Sequence, residues 1–77
     1  MICKILTPET SNIYNDVRVV SLPGTNGRFE VLPNHAELFQ ILIKGQIVVE
    51  KADGIRETKE ISEGTCHFIG NTLTVIL

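Results

Sequence analysis

Tryptophan is absent from this 77-residue chain, and its aromatic set stops at one tyrosine and three phenylalanines. A stacking platform for sugars depends on large aromatic faces and is therefore poorly supplied. Two cysteines, Cys3 and Cys66, are too few and too far apart for a disulfide scaffold or a zinc cluster. Both fall on apolar alternations and read as small buried hydrophobes, with a Cys3–Cys66 bridge as the other option. No apolar run approaches the roughly 20 residues of a membrane-spanning helix. The N-terminus lacks the basic-then-apolar layout of a signal peptide. Neither charge sign dominates: seven bases against nine acids give a net charge of −2. The bases are scattered, which argues against a nucleic-acid footprint. With no repeat, linker or low-complexity tract, the expectation is one soluble, intracellular domain over residues 1–77 in a reducing compartment.

A chain of this length buries only roughly 60% of its unfolded surface, near the lower limit for folding alone. Ile, Val and Thr make up 24 of the 77 residues and Ala only two. β-branched residues favour strands and scarce alanine argues against helix, so the chain is expected to be all-β. Ile2–Thr7 reads as a strand with Cys3 and Ile5 on one face, ended by Pro8 and a polar turn to Asn12. Ile13-Tyr14 is a brief strand. Val17–Leu22 follows, with Val20, Leu22 and Arg18 on one face by strict alternation and Val17 and Val19 on the other, and Pro23 closes it. Ala36–Ile43 fits helical spacing as well as a strand. Strand is preferred there because both neighbours are β. Gln46–Glu50 turns at Ala52-Asp53-Gly54, a hairpin signal, into Ile55–Ile61, whose charges suit an exposed edge. Ser62-Glu63-Gly64 breaks that strand. Thr65–Ile69 and Thr72–Leu77 then join at Gly70-Asn71, with Cys66 and Phe68 together and Leu73, Val75 and Leu77 inward. Short strands at even turn spacing predict a small antiparallel β-sandwich.

One stretch departs from generic β sequence: Leu22-Pro-Gly-Thr-Asn-Gly-Arg-Phe-Glu-Val-Leu-Pro-Asn-His-Ala36. Gly24 and Gly27 permit a tight polar turn around Thr25-Asn26, and Pro33-Asn34-His35 makes a second turn. A strand from Phe29 to Leu32, too short to stand alone, joins them. On residue types this is either a complicated corner or a functional loop. His35 has no nucleophile or carboxylate that sequence can place against it. A metal set of His35, His67 and Cys66 lacks close ligand pairs. A turn histidine bonded to the loop backbone is the preferred reading. Gly24-x-x-Gly27 is followed by Arg-Phe and not by the Lys-Ser/Thr of a phosphate loop. The residues alone therefore indicate no catalytic site and no ATP, metal or other cofactor.

The Pro-Gly-x-x-Gly-x-Phe-x-Val-Leu-Pro-Asn-His-Ala pattern resembles the N-terminal domain of the epsilon subunit of bacterial F-type ATP synthases. Cys3-Lys-Ile-Leu-Thr-Pro8, Ile61-Ser-Glu-Gly64 and Leu73-Thr-Val75 resemble the same domain in the same order, so the similarity runs over nearly the whole chain. The resemblance implies a β-sandwich on the rotor, a non-catalytic subunit that joins the gamma subunit to the polar loops of the membrane c-ring. It implies peripheral attachment at the cytoplasmic face of the bacterial plasma membrane. By the same match, Arg28, Glu30, Pro33, Asn34 and His35 would lie in or beside the partner contact. Relatives often carry an acid after Gly27, where this chain has Arg28, so an ion pair from relatives does not transfer. Relatives also usually continue past the Leu-Thr-Val strand into a helical hairpin that in many restrains ATP hydrolysis. This sequence ends at Leu77, so coupling without restraint is expected. The other class that the residues leave open is a small β-sandwich module that binds a carbohydrate or a peptide.

Overall fold

β-branched residues alternate with polar ones along most of this chain, and in the computed structural model, which describes residues 1–77, they form nine strands and no helix. The strands are β1 (Ile2–Leu6), β2 (Ser11–Tyr14), β3 (Val17–Gly24), β4 (Gly27–Val31), β5 (Leu38–Leu42), β6 (Gly45–Lys51), β7 (Arg56–Ile61), β8 (Gly64–Ile69) and β9 (Thr72–Ile76). The ambiguous segment before Gly45 is thus a strand. Hydrogen bonding runs in the order β2-β1-β9-β8-β5-β3-β6-β7, with β4 on the other edge of β3. β5 and β3 share only the pair Gly24↔Leu42. The sheet folds over at that weak link into two layers, β2-β1-β9-β8-β5 and β4-β3-β6-β7, which close as a small all-β sandwich. Every pairing is antiparallel except β1 with β9, which run parallel from Ile2↔Thr72 to Leu6↔Ile76.

Fourteen buried residues fill the space between the layers. Cys3, Ile5, Cys66, Phe68, Leu73 and Val75 come from the first layer, and Val20, Leu22, Val31, Ile47 and Val49 from the second. The cysteines sit in this core as free thiols. They lie on β1 and β8 with β9 between them. Two strand spacings put about 10 Å between their backbones, beyond the roughly 7 Å limit for a disulfide. The bridge is therefore excluded.

Two expectations about β3 need correction. Strict alternation places Val17 with Val19 and Arg18 with Val20, yet Val17 is 2% exposed and Val20 0%, while Arg18 is exposed. The β3–β6 register shifts between Val17 and Val19, a bulge that inserts Arg18 and reverses the parity. Pro23 does not end the strand either, because β3 runs on to Gly24. Its lateral pairing with β6 stops at Ser21↔Val48 and resumes with β5 at Gly24↔Leu42. Pro23 occupies the gap, where no partner needs its missing N–H.

The turns gather at two opposite ends. One end holds Met1, Asn15-Asp16, Pro33–Ala36, Ala52–Gly54 and Gly70-Asn71, tied by bonds such as Ala52 N–H to the Asp16 carbonyl and Ile2 N–H to the Asn71 carbonyl. The other holds Pro8–Thr10, Thr25-Asn26, Ile43-Lys44, Ser62-Glu63 and Leu77, with Ile43 N–H donating to the Pro23 carbonyl and Leu77 N–H to the Leu6 carbonyl.

Candidate interaction site

The β3–β4 hairpin closes on the pair Gly24↔Gly27, with Thr25-Asn26 exposed at its tip. Gly27 has φ of 114°, a conformation that favours glycine. A Cβ at Gly24 would lie 2.9 Å from the Phe29 ring and 3.0 Å from the Gly27 carbonyl oxygen, so only glycine fits there undistorted. Beyond the tip, Arg28 folds back along the sheet. Its Nη2 donates to Ser21 Oγ at 2.9 Å and to the Gln46 carbonyl at 2.8 Å, and its Nε to Ser21 Oγ at 3.2 Å. Glu30 sits opposite Ser21 on the same outer face. Both line a shallow groove of about 430 Å³ with Glu50 and Arg56. Glu50, only 7% exposed, is held between Arg18 and Arg56, the latter donating from Nε at 2.7 Å. On this face Glu50 is thus paired with two arginines, while Arg28 is held by neutral acceptors.

Pro33, Asn34 and His35 lie elsewhere. The four residue steps of β4 carry the chain about 13 Å along the sandwich, so this corner stands at the opposite end from the Thr25-Asn26 tip. Asn34 has φ of 65°, and its N–H donates to Asn71 Oδ1 at 2.8 Å. Gly70 and Asn71, at φ of 58° and 57°, form the tight β8–β9 turn that presents this acceptor. His35 N–H donates to the Leu32 carbonyl at 3.2 Å, and its ring Nδ1 donates to the Ala36 carbonyl at 2.8 Å. The ring stands edge-on to buried Phe68, with centroids 6.2 Å apart and planes at 88°. His35 is therefore a turn histidine bonded to its own loop. Of the five residues singled out in the sequence, the structure brings Arg28 and Glu30 together on one face and Pro33, Asn34 and His35 together at one end, and keeps the two groups apart.

The other metal candidates diverge as well. Cys66 points into the core, whereas His67, next along the strand, points outward with Nε2 2.9 Å from Glu37 Oε2. No group of three or more His, Cys, Asp or Glu side chains is disposed to hold a metal ion.

The largest feature that sequence reasoning missed is the outer face of the first layer. The registers place Ile2, Lys4 and Leu6 of β1, Ile13 of β2, Thr72, Thr74 and Ile76 of β9, Thr65, His67 and Ile69 of β8, and Phe39 and Ile41 of β5 on that one face. Of the nine exposed large hydrophobics, six are here: Ile2, Ile13, Phe39, Ile41, Ile69 and Ile76. Phe39 is the most exposed, at 63%. Lys4 carries one full charge on this face, and the Glu37 carboxylate at His67 brings a second. The apolar side chains surround a polar centre of Lys4, Thr74 and His67, and six large exposed hydrophobics on one face mark a contact site. The available signal was the run of strands apolar on both parities, such as Ile41-Leu42-Ile43 and Val75-Ile76, since strands covered on both sides read that way.

Comparison with known proteins agrees with this architecture. The family model of the ATP synthase Delta/Epsilon chain beta-sandwich domain matches residues 1–77. Among curated relatives, the ATP synthase epsilon chain of Campylobacter hominis is 39% identical over 74 residues, 96% of this chain and 57% of that protein. The epsilon chain of a Sulfurovum species is 46% identical over 61 residues, 79% of this chain and 48% of that protein. The chain thus spans about half the length of the curated relatives it matches. Among solved structures, a chain of the Euglena gracilis mitochondrial ATP synthase OSCP/F1/c-ring assembly superposes with a TM-score of 0.88 at 20% identity, over 96% of this chain and 48% of that one. A chain of the Tetrahymena thermophila mitochondrial ATP synthase central stalk and c-ring superposes with a TM-score of 0.81 at 9% identity, over 97% of this chain and 60% of that one. At such identities the likeness is one of fold. With the family model matched from end to end and epsilon-chain relatives at these identities, the chain belongs to the ATP synthase Delta/Epsilon chain beta-sandwich domain family.

Proposed function

We propose that these 77 residues form the sandwich of a non-catalytic rotor-stalk subunit that joins the gamma subunit to the membrane c-ring of an F-type ATP synthase. The observation that carries this reading is the apolar outer face of the β2-β1-β9-β8-β5 layer, which is the docking surface for gamma. A domain this small cannot cover six large exposed hydrophobics itself, and association removes such surface from water. The opposite outer face, where Glu50 is held between Arg18 and Arg56, stays in solvent.

The c-ring contact is assigned to the end that carries the Thr25-Asn26 tip. Glu9, Thr10, Thr25, Asn26, Lys44, Ser62 and Glu63 are all exposed there, a polar surface suited to polar loops. Arg28 and Glu30 stand on the first residues behind the tip. Asn34 N–H, His35 N–H and His35 Nδ1 are engaged within the fold, and the Pro33-Asn34-His35 corner stands at the opposite end from the tip, so in this reading it does not meet the ring. Attachment to the cytoplasmic side of the membrane is peripheral, through the ring. These strands transmit torque.

Two assays test the reading. The chain should co-purify with the gamma subunit of the same organism. Arg28→Glu should weaken attachment of the gamma complex to the ring while the isolated chain melts as before. Failure to retain gamma at micromolar concentrations would refute the docking assignment, and an unchanged ring attachment in Arg28→Glu would refute the choice of end.

A further inference from the structure

A strand at a sheet edge presents unpaired N–H and C=O groups that template another strand. The two layers have four such edges, and three are guarded. β7 carries Arg56, Glu57, Lys59 and Glu60. β4 carries Arg28 and Glu30. β2 is four residues long and opens on Ser11 and Asn12. β5 is the exception. Its sequence Leu38-Phe39-Gln40-Ile41-Leu42 has no charge and no proline. On one side it pairs with β8 along its whole length, and on the other it meets β3 only at Gly24↔Leu42. The backbone from Leu38 to Ile41 is open on that side. Below the opening, Leu38, Gln40 and Phe29 of β4 are half-buried, and Leu38 and Phe29 pack on the core from its rim.

The face leads to the same edge. Phe39 and Ile41 carry the outer face of the first layer to its rim on β5, so a partner that covers this face also reaches the open side of that strand.

We propose that β5 is completed in the assembly by an extended segment of the same partner that covers the outer face, which gives that layer a sixth strand. This inference rests on the docking reading above. The segment it fits is uncharged and apolar on both sides. One side prolongs the Phe39–Ile41 surface, and the other closes over Leu38 and Phe29, the pattern of a strand buried on both faces. Main-chain bonds supply register and the two apolar sides supply selectivity, as in strand addition generally.

The test compares amide hydrogen exchange of the chain alone and bound to the gamma subunit, together with the affinity of Gln40→Lys. Gln40 has the inward parity at this edge, so a lysine there obstructs an added strand while Phe39, Ile41 and the rest of the outer face stay unchanged. The amides of β5 that exchange freely in the isolated chain are expected to slow at least about 100-fold in the complex. Gln40→Lys is expected to weaken gamma binding at least about tenfold. If gamma binds with β5 exchange unaltered and Gln40→Lys keeps wild-type affinity, strand addition is overturned and docking on the face survives. If gamma does not bind at all, both readings fall. Slow β5 exchange in the free chain, accompanied by dimeric sedimentation, assigns the edge to a second copy and overturns the proposal. The exchange measurement on the unaltered chain decides the matter even if Gln40→Lys fails to fold.

Discussion

Raising the pH from 7 to 10 destabilises this fold through its two cysteines. Cys3 and Cys66 are 0% and 1% exposed, at core positions of β1 and β8. Burial, with a smaller contribution from nearby Cys66, pushes the Cys3 thiol from 9.0 up to about 12. Burial pushes Cys66 up to about 11, against a lowering by the Gln40 backbone. In the unfolded chain both ionise near the ordinary value. Above about pH 9 the folded state keeps protons that the unfolded state has shed, so stability is full below that pH and falls as pH rises toward 11 and 12. At pH 10 the difference is about 1.4 kcal/mol per thiol, or about 3 kcal/mol for both. A domain this size has about 4 to 12 kcal/mol in total, so the loss is readily measured. The assay is urea unfolding at pH 7 and pH 10 for the native sequence and for Cys3→Ala/Cys66→Ala. Tyrosine and lysine ionisation is common to both proteins and cancels in the comparison. The native sequence should lose about 3 kcal/mol more than the double variant. A difference below about 0.5 kcal/mol, near the precision of the extrapolation, would mean that the thiols ionise in place and are not buried as small hydrophobes.

Further consequences concern the backbone and the polar face. A Cβ at Gly45 would lie 2.8 Å from Pro23 Cβ, and one at Gly64 2.7 Å from the Ile76 carbonyl oxygen. Each alanine variant should cost about 1 to 3 kcal/mol and lower the melting temperature by about 4 to 8 °C per kcal/mol, with Gly64→Ala the worse because its obstacle is backbone. At Asn34, φ of 65° favours Gly or Asn. Asn34→Gly should therefore melt near wild type, and Asn34→Val should lose about 1 to 3 kcal/mol in chemical denaturation. Glu50→Gln leaves Arg18 and Arg56 facing a neutral amide, yet their side chains are 61% and 70% exposed, which limits the cost to about 1 kcal/mol. Titration calorimetry on that variant should return unchanged gamma affinity, since Glu50 lies on the face opposite the proposed docking surface.

Most strands were legible because residues such as Ile47, Val49, Leu73 and Val75 alternate cleanly with polar neighbours and face a single core. The Asp53-Gly54 and Gly70-Asn71 turns were legible for a different reason: Gly54, Gly70 and Asn71 take positive φ, and few residue types tolerate it. Local pattern failed where lateral pairing decides. The bulge at Arg18 and the survival of β3 through Pro23 both depend on which strand lies alongside. The parallel β1–β9 pair joins opposite ends of the chain, beyond the reach of any local signal. The five candidate contact residues are neighbours in sequence, but a five-residue strand between two turns carries them to opposite ends of a small sandwich. The apolar outer face draws on strands scattered from Ile2 to Ile76, so it emerges only once register is known.

The central claim is that the outer face of the β2-β1-β9-β8-β5 layer holds the gamma subunit. Its most direct test is the affinity of gamma for Ile13→Lys/Ile69→Lys, measured beside Thr58→Lys, an exposed substitution on the opposite outer face. All three side chains are in solvent in the isolated chain, so each protein should fold and melt like the native one. The account predicts that the double variant binds gamma at least about 100-fold more weakly, about 2.7 kcal/mol, while Thr58→Lys binds as the native chain does. Native affinity in the double variant, or a comparable loss in Thr58→Lys, would contradict it.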